Sequence, residues 1–168
     1  MTDTPESSGW ADGISFLAQL YLLKDEQPFS LKLGREITAP YEESKVLLPT
    51  VLMTAVNGAA DLLLFRFSGR STNRLHYKLS CYGRNAYLNL LNDGSVQSTG
   101  REGSALMLEP LEWGKDSLRF KMQDSTGRLI RSMPIPPIRR NRGRDIDLIG
   151  DQLSVATGDV AQFLLKRC

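Results

Sequence analysis

The chain has 168 residues, 41% of them hydrophobic, with a formal net charge of +2 and a single histidine. That is the size of one domain, since domains cluster near ~100–150 residues, and no run approaches the ~18 consecutive apolar residues of a membrane span. So mild a charge does not call for nucleic acid; one histidine excludes a His-rich metal site, and two cysteines make no disulfide framework.

The opening MTDTPESSGW is polar and acidic, without the basic n-region and apolar core of a secretory signal. A cytoplasmic protein fits this opening, as does one exported without a classical signal. Residues 1–9 read as a disordered tail, and residues 10–168 as a single all-β domain with Trp10 as its first anchor. Residues 14–23 allow two readings. Phe16, Ala18, Leu20 and Leu22 alternate as in a strand, whereas Ile14, Leu17, Ala18 and Tyr21 share one helical face that Asp12 would cap. The strand is preferred, because Phe16 and Leu20 moved by 59 positions fall on Leu75 and Leu79 in a clearer alternating run.

Next come FSLKLGREITA, read as strand–turn–strand, and KVLLPTVL, an apolar strand in which Pro49 to Val56 offers a short helical rival. LLLFRF and LHYKL follow, joined by Gly and Ser turns. In YLNLLNDGSVQST, the Asn92, Asp93, Gly94 sequence signals a hairpin, because glycine tolerates the positive φ such turns demand. ALMLEPLE alternates through Leu106 and Leu108, and Pro110 confines that strand to an edge or an end. LRFKM, LIRSM, DIDLIGDQLSVAT and AQFLLKR complete a chain of short strands and turns, as all-β domains show.

Three of these segments read as versions of one unit. Phe29, Leu31, Ile37 and Leu47 moved by 59 positions fall on Leu88, Leu90, Val96 and Leu106; these map on to Ile146, Leu148, Val155 and Phe163. A repeat of this length fits an architecture in which one unit cannot bury its apolar face alone. The segment LSCYGRNAYLNLLNDGSVQSTGREGSALMLEPL resembles one β-trefoil repeat, in wording similar to fibroblast-growth-factor-like and interleukin-like cytokines, trefoil lectins and trefoil protease inhibitors. The resemblance covers about residues 75–125. The Gln-x-Trp motif of ricin-type lectin repeats is absent, tryptophan occurring only at 10 and 113. The fold expected is therefore all-β, β-trefoil-like with a threefold internal repeat; a β-prism and a two-sheet β-sandwich are the alternatives.

Such folds carry function in their loops, because the strands are committed to packing. Arg139, Arg140, Arg142 and Arg144 follow a stiff Met133-Pro134-Ile135-Pro136-Pro137 run, and four guanidinium groups there would hold sulfate, phosphate or carboxylate. Asp145 and Asp147 neutralise part of that field, and no aromatics interleave with it, which disfavours nucleic acid. Tyr82, Arg84 and Asn85 before YLNLL, and Trp113 before LRFKM, are the aromatic and polar loop candidates for a sugar; Tyr41, Glu42 and Glu43 occupy a loop of the first copy as a further set. His76 sits inside an alternating run where a satisfied strand histidine is the ordinary role, and Cys81 faces the other way. A bridge between Cys81 and Cys168 stays open. Gly100-Arg101-Glu102-Gly103 has no Walker lysine and reads as a turn. The expectation is a non-catalytic binding module needing no cofactor or metal. It is a lectin-like protein for glycans or other anionic ligands; the alternative is a protein-binding module such as a protease inhibitor or receptor ligand. If residues 14–23 are a helix, a small membrane-active protein comes into view.

Overall fold

A computed structural model describes residues 9–11, 13–38, 45–56, 60–83, 86–101, 103–134 and 151–168, with backbone alone at 32–38, 45–56 and 98. Every regular element in them is a strand: β1 (Phe16–Lys24), β2 (Gln27–Thr38), β3 (Lys45–Val56), β4 (Leu62–Ser71), β5 (Arg74–Cys81), β6 (Tyr87–Leu90), β7 (Val96–Thr99), β8 (Leu106–Trp113), β9 (Ser117–Gln123), β10 (Arg131–Pro134), β11 (Asp151–Ser154), β12 (Asp159–Val160) and β13 (Gln162–Arg167). Among the described residues no helix is long and apolar enough to cross a membrane.

Six strands close on themselves. β1 pairs with β4, β4 with β5, β5 with β8, β8 with β9, β9 with β13, and β13 with β1, all antiparallel. Closure leaves no open edge in the ring. The period-2 pattern turns alternate residues of these strands inward. Phe16, Ala18, Leu20 and Leu22 of β1 are buried, as are Leu63 and Phe65 of β4, Leu75, Tyr77 and Leu79 of β5, Leu106 and Leu108 of β8, Leu118, Phe120 and Met122 of β9, and Phe163 and Leu165 of β13. Each fully buried Leu or Phe side chain stabilises the fold by roughly 1.5–3 kcal/mol.

The two barrel ends are closed differently. At one, the chain before β1 forms a stopper. The Tyr77 hydroxyl donates to the carbonyls of Ala11 and Ile14, and Trp10 Nε1 donates to Gly114 O at 3.2 Å. The Trp10 ring stands edge-on to Phe16 and Trp113 at 4.9 and 5.9 Å, under the Arg167 guanidinium at 4.4 Å. At the other end, the hairpins β2–β3, β6–β7 and β10–β11 meet. Thr50 pairs with Gln97, and Ser95 bridges Ser154. The Gly94 carbonyl accepts from Val155 N at 2.8 Å and Ser154 Oγ at 3.1 Å. Gly94 has φ of +88°, the conformation its turn position calls for, and Asp93 Oδ1 accepts from Ser95 N and Oγ to fix that turn.

Several sequence expectations are corrected here. FSLKLGREITA is one strand, β2, and not strand–turn–strand; its irregularity is taken up by register shifts against β3 near Leu31 and Leu33. Pro49 lies inside β3, so the helical rival does not form. Residues 16–24 are a strand, in agreement with the preferred reading, and the helix on which the membrane-active alternative depends does not form there. Pro110 agrees with the expectation of an edge or an end, for β8 has a neighbour on one side only at that point, Phe120 of β9. β5 pairs with β8 only as far as Leu108, and a bulge between Pro110 and Glu112 accommodates the missing N–H. The offset of 59 relates buried Phe16 and Leu20 to buried Leu75 and Leu79, but it also equates Leu47 of β3 with Leu106 of β8, strands with different pairing partners. Of the disordered tail expected over residues 1–9, residues 1–8 fall outside the described residues, and Gly9 lies against the Trp113 ring.

Candidate functional site

Of the loop candidates, Tyr82 and Trp113 fall among the described residues, and they lie apart. Arg139, Arg140, Arg142, Arg144, Arg84 and Asn85 lie outside the described residues, as do Tyr41, Glu42 and Glu43. Tyr82 is 61% exposed in the turn after β5. Trp113 ends β8 rather than occupying the following turn. Leu75 pairs with Leu108 and Tyr77 with Leu106, so the end of β5 and the end of β8 lie at opposite ends of the barrel. Tyr82 and Trp113 therefore cannot face one ligand. Trp113 is also packed into the stopper: a side-chain carbon on Gly9 would run into its ring.

Cys81 is buried, Cys168 is exposed, and no bridge joins them. His76 Nε2 is 2.9 Å from Ser71 Oγ at the exposed β4–β5 turn. Among the described residues no three His, Cys, Asp or Glu side chains gather as metal ligands would. A concave patch of about 400 Å³ beside β6 and β7 is lined by Asn89, Leu90, Leu91, Thr99, Gly100 and Arg101. Its central polar group is committed to structure: Asn89 Nδ2 donates to Thr99 Oγ1 and, at 3.1 Å, to Arg101 O, while Asn89 Oδ1 accepts from Ser104 N at 3.2 Å.

A different groove runs across the outside of the barrel wall. On β9, Leu118 and Phe120 point into the core, so Arg119 between them points out. Register places Glu112 of β8 opposite Arg119 and Gln162 of β13 one diagonal step away, since Leu164 is the direct partner. Leu23 of β1 pairs with Gln162, and the two-residue β1–β2 turn follows it. The result is two adjoining concavities of about 330 and 240 Å³ that share Arg119 and Gln162.

Two local departures from regular backbone shape this groove. The register slip that accommodates Pro110 leaves Leu111 as the extra residue of the bulge, 44% exposed at the groove's edge. Bulges re-aim a side chain in this way. On the far side, Asp25 and Glu26 have φ of +51° and +64°. Two-residue hairpins of this kind ordinarily use Asn-Gly or Asp-Gly. A left-handed L-residue costs about 1–2 kcal/mol, so glutamate at the second position is a strained choice. Its carboxylate meets Arg119 fork to fork, Nη1 to Oε2 and Nη2 to Oε1, both at 2.9 Å, while Arg119 Nε donates to Gln162 Oε1 at 2.8 Å. These bonds and the charge of Arg119 hold the Glu26 carboxyl below its ordinary value, and the bonds to Glu26 raise Arg119 in turn. Val160, 38% exposed, completes the apolar lining.

Sequence reading passed over this site. The only signals were an outward arginine in LRFKM and the non-glycine turn KDEQ; neither carries a motif. Known protein-family models give no match to the chain, and characterised protein sequences give none either.

Proposed function

We propose that the protein is a non-catalytic binding module, organised as a β-trefoil, that recognises glycans through the Arg119 groove. What carries the reading is the convergence of two backbone irregularities, the Leu111 bulge and the Asp25/Glu26 turn, on one outward arginine. A sugar presents hydroxyl pairs and a patch of C–H groups. The groove offers a guanidinium, an amide and carboxylates, with Leu111 and Val160 alongside for the C–H face.

The trefoil organisation is supported by the core positions. Phe16, Ala18 and Leu20 of β1, Leu75, Tyr77 and Leu79 of β5, and Leu118, Phe120 and Met122 of β9 are matching buried triplets. Leu63 and Phe65, Leu106 and Leu108, and Phe163 and Leu165 are matching pairs on β4, β8 and β13. One hairpin follows each triplet strand, and the spacing between units varies because the intervening loops differ in length.

A glycan array of neutral, sialylated and sulfated sugars, read with the wild-type and Arg119→Gln proteins, tests the function. Selective binding that the substitution removes supports it; binding that the substitution leaves intact places the site elsewhere. Arg139, Arg140, Arg142 and Arg144 remain proposed as a second, anionic contact. Replacing the four together should abolish retention on heparin, and unchanged retention sinks that part. The protein-binding alternative is favoured by one observation, the exposure of Leu111 and Val160 on a shallow face, and a silent array with a captured protein partner would select it.

A further inference from the structure

Within the Arg119 groove, the observation that asks for explanation is that the arginine's fork is already filled, and by a residue whose backbone is unsuited to its place. Glycine would satisfy the β1–β2 turn without strain, yet the chain has glutamate there with φ of +64°. Strain of this sort persists where surroundings enforce it, and it clusters at ligand clamps and switches. What enforces it is the two-residue loop itself, since Lys24 pairs directly with Gln27, and the bidentate contact with Arg119 is the added reason for glutamate rather than glycine at that place.

The two partners are unequally held. The Glu26 side chain is 74% exposed and the Arg119 side chain 29%. Arg119 is further tied to Gln162 through Nε, whereas Glu26 stands at a turn tip. An exposed pair of this kind favours the closed arrangement by no more than about fivefold. The carboxylate can therefore leave while the guanidinium stays in position, aimed along the groove.

We infer that Arg119 and Gln162 form a carboxylate-binding subsite which Glu26 occupies in the unliganded protein, and that the glycan taken by the groove is consequently an acidic one. This rests on the groove being the glycan site. The guanidinium fork matches a planar carboxylate by geometry, and Glu26 shows that match in place. With the Gln162 oxygen committed to Arg119, its NH2 group is what remains to donate to a ring or neighbouring hydroxyl. Leu111 and Val160 border the same space. An incoming carboxylate exchanges with Glu26 one for one, so the charge balance at Arg119 is kept. The turn itself stays closed by the Lys24–Gln27 pairing, so only the Glu26 side chain has to move. Neutral sugars gain nothing from the exchange, which makes Glu26 a specificity filter as well as a plug.

The test is an NMR titration of the full chain that follows the Gln162 side-chain amide, with sodium acetate, glucuronic acid and glucose as probes. Wild type, Glu26→Gln and Arg119→Gln are compared. Removing the internal carboxylate should tighten acetate and glucuronic acid by roughly three- to tenfold, because the competent fraction of the site rises and a like charge is lost. Glucose should respond equally in wild type and Glu26→Gln, and Arg119→Gln should lose the response to both acids. If glucose and glucuronic acid bind wild type and Glu26→Gln with the same affinities, the carboxylate subsite is overturned while the glycan reading stands. If acetate tightens in Glu26→Gln but neither sugar is bound by any protein, the glycan reading is overturned and the carboxylate subsite is upheld.

Discussion

Arg119 and Glu26, 93 positions apart in the chain, are joined by two parallel hydrogen bonds of 2.9 Å. The pair ties the β1–β2 turn to the outside of β9 across the intervening β13. Glu26 occupies a turn position where its backbone is strained, so the ion pair and the turn oppose each other energetically.

That opposition predicts the effect of giving the turn its preferred residues. In Asp25→Asn/Glu26→Gly the strain of about 1–2 kcal/mol of a left-handed L-residue is relieved at position 26, where glycine has no Cβ, and eased at position 25, whereas an exposed ion pair contributes little. Strain relief wins. The double variant should be more stable by about 1 kcal/mol, a melting temperature raised by roughly 2–4 °C for a chain this size. A lowered melting temperature would show that the pair outweighs the turn.

Asp124 organises the β9–β10 connection. Its Oδ1 accepts from Thr126 N and Oγ1 and from Arg128 N, and its Oδ2 accepts from Arg128 Nε at 2.7 Å, with the side chain 3% exposed. Burial alone would raise its pKa, but these bonds outweigh burial and hold it below the ordinary 3.8. Its contribution to stability is thus fully present above about pH 4 and is lost as pH falls through the lower folded value. Asp124→Asn should cost roughly 2–3 kcal/mol at pH 7, the range for hydrogen bonds to a charged group. The two stabilities should converge toward pH 2, measured by urea unfolding. Parallel curves across that range would contradict the assignment.

Tyr77 holds the stopper to the barrel. It is fully buried, and its hydroxyl bonds the carbonyls of Ala11 and Ile14. Tyr77→Phe keeps the ring contacts with Phe16, Phe65 and Phe67 but removes the hydroxyl from both carbonyls, leaving Ala11 O only the 3.3 Å bond from Ile14 N, and should cost about 1–3 kcal/mol. Hydrogen exchange should accelerate at residues 9–15 more than in β5. Equal acceleration in both would mean that the stopper and barrel open as one unit.

The barrel was legible in the sequence wherever alternation ran unbroken. LHYKL and LRFKM gave β5 and β9 directly, and NDGSV gave the β6–β7 turn, because a period of 2 and a glycine turn are local signals. The failures came where pairing decides. FSLKLGREITA contains a glycine that suggested a turn, but the long partner β3 keeps it extended. Pro110, by contrast, was read correctly, because β5 pairs with β8 only as far as Leu108 and leaves the proline with one neighbouring strand. The groove was illegible for the same reason as β2. Arg119, Gln162, Glu112 and Glu26 meet only through cross-strand register, and no spacing along the chain announces it.

The measurement that bears most directly on the groove is backbone chemical-shift mapping of the full chain with a sialylated trisaccharide. The account predicts shifts concentrated at Glu26, Leu111, Arg119, Val160 and Gln162, with the turn at Asp25 and Glu26 moving most. Shifts confined to the Tyr82 turn or to the hairpin-capped end, or no shifts at saturating sugar, would contradict it.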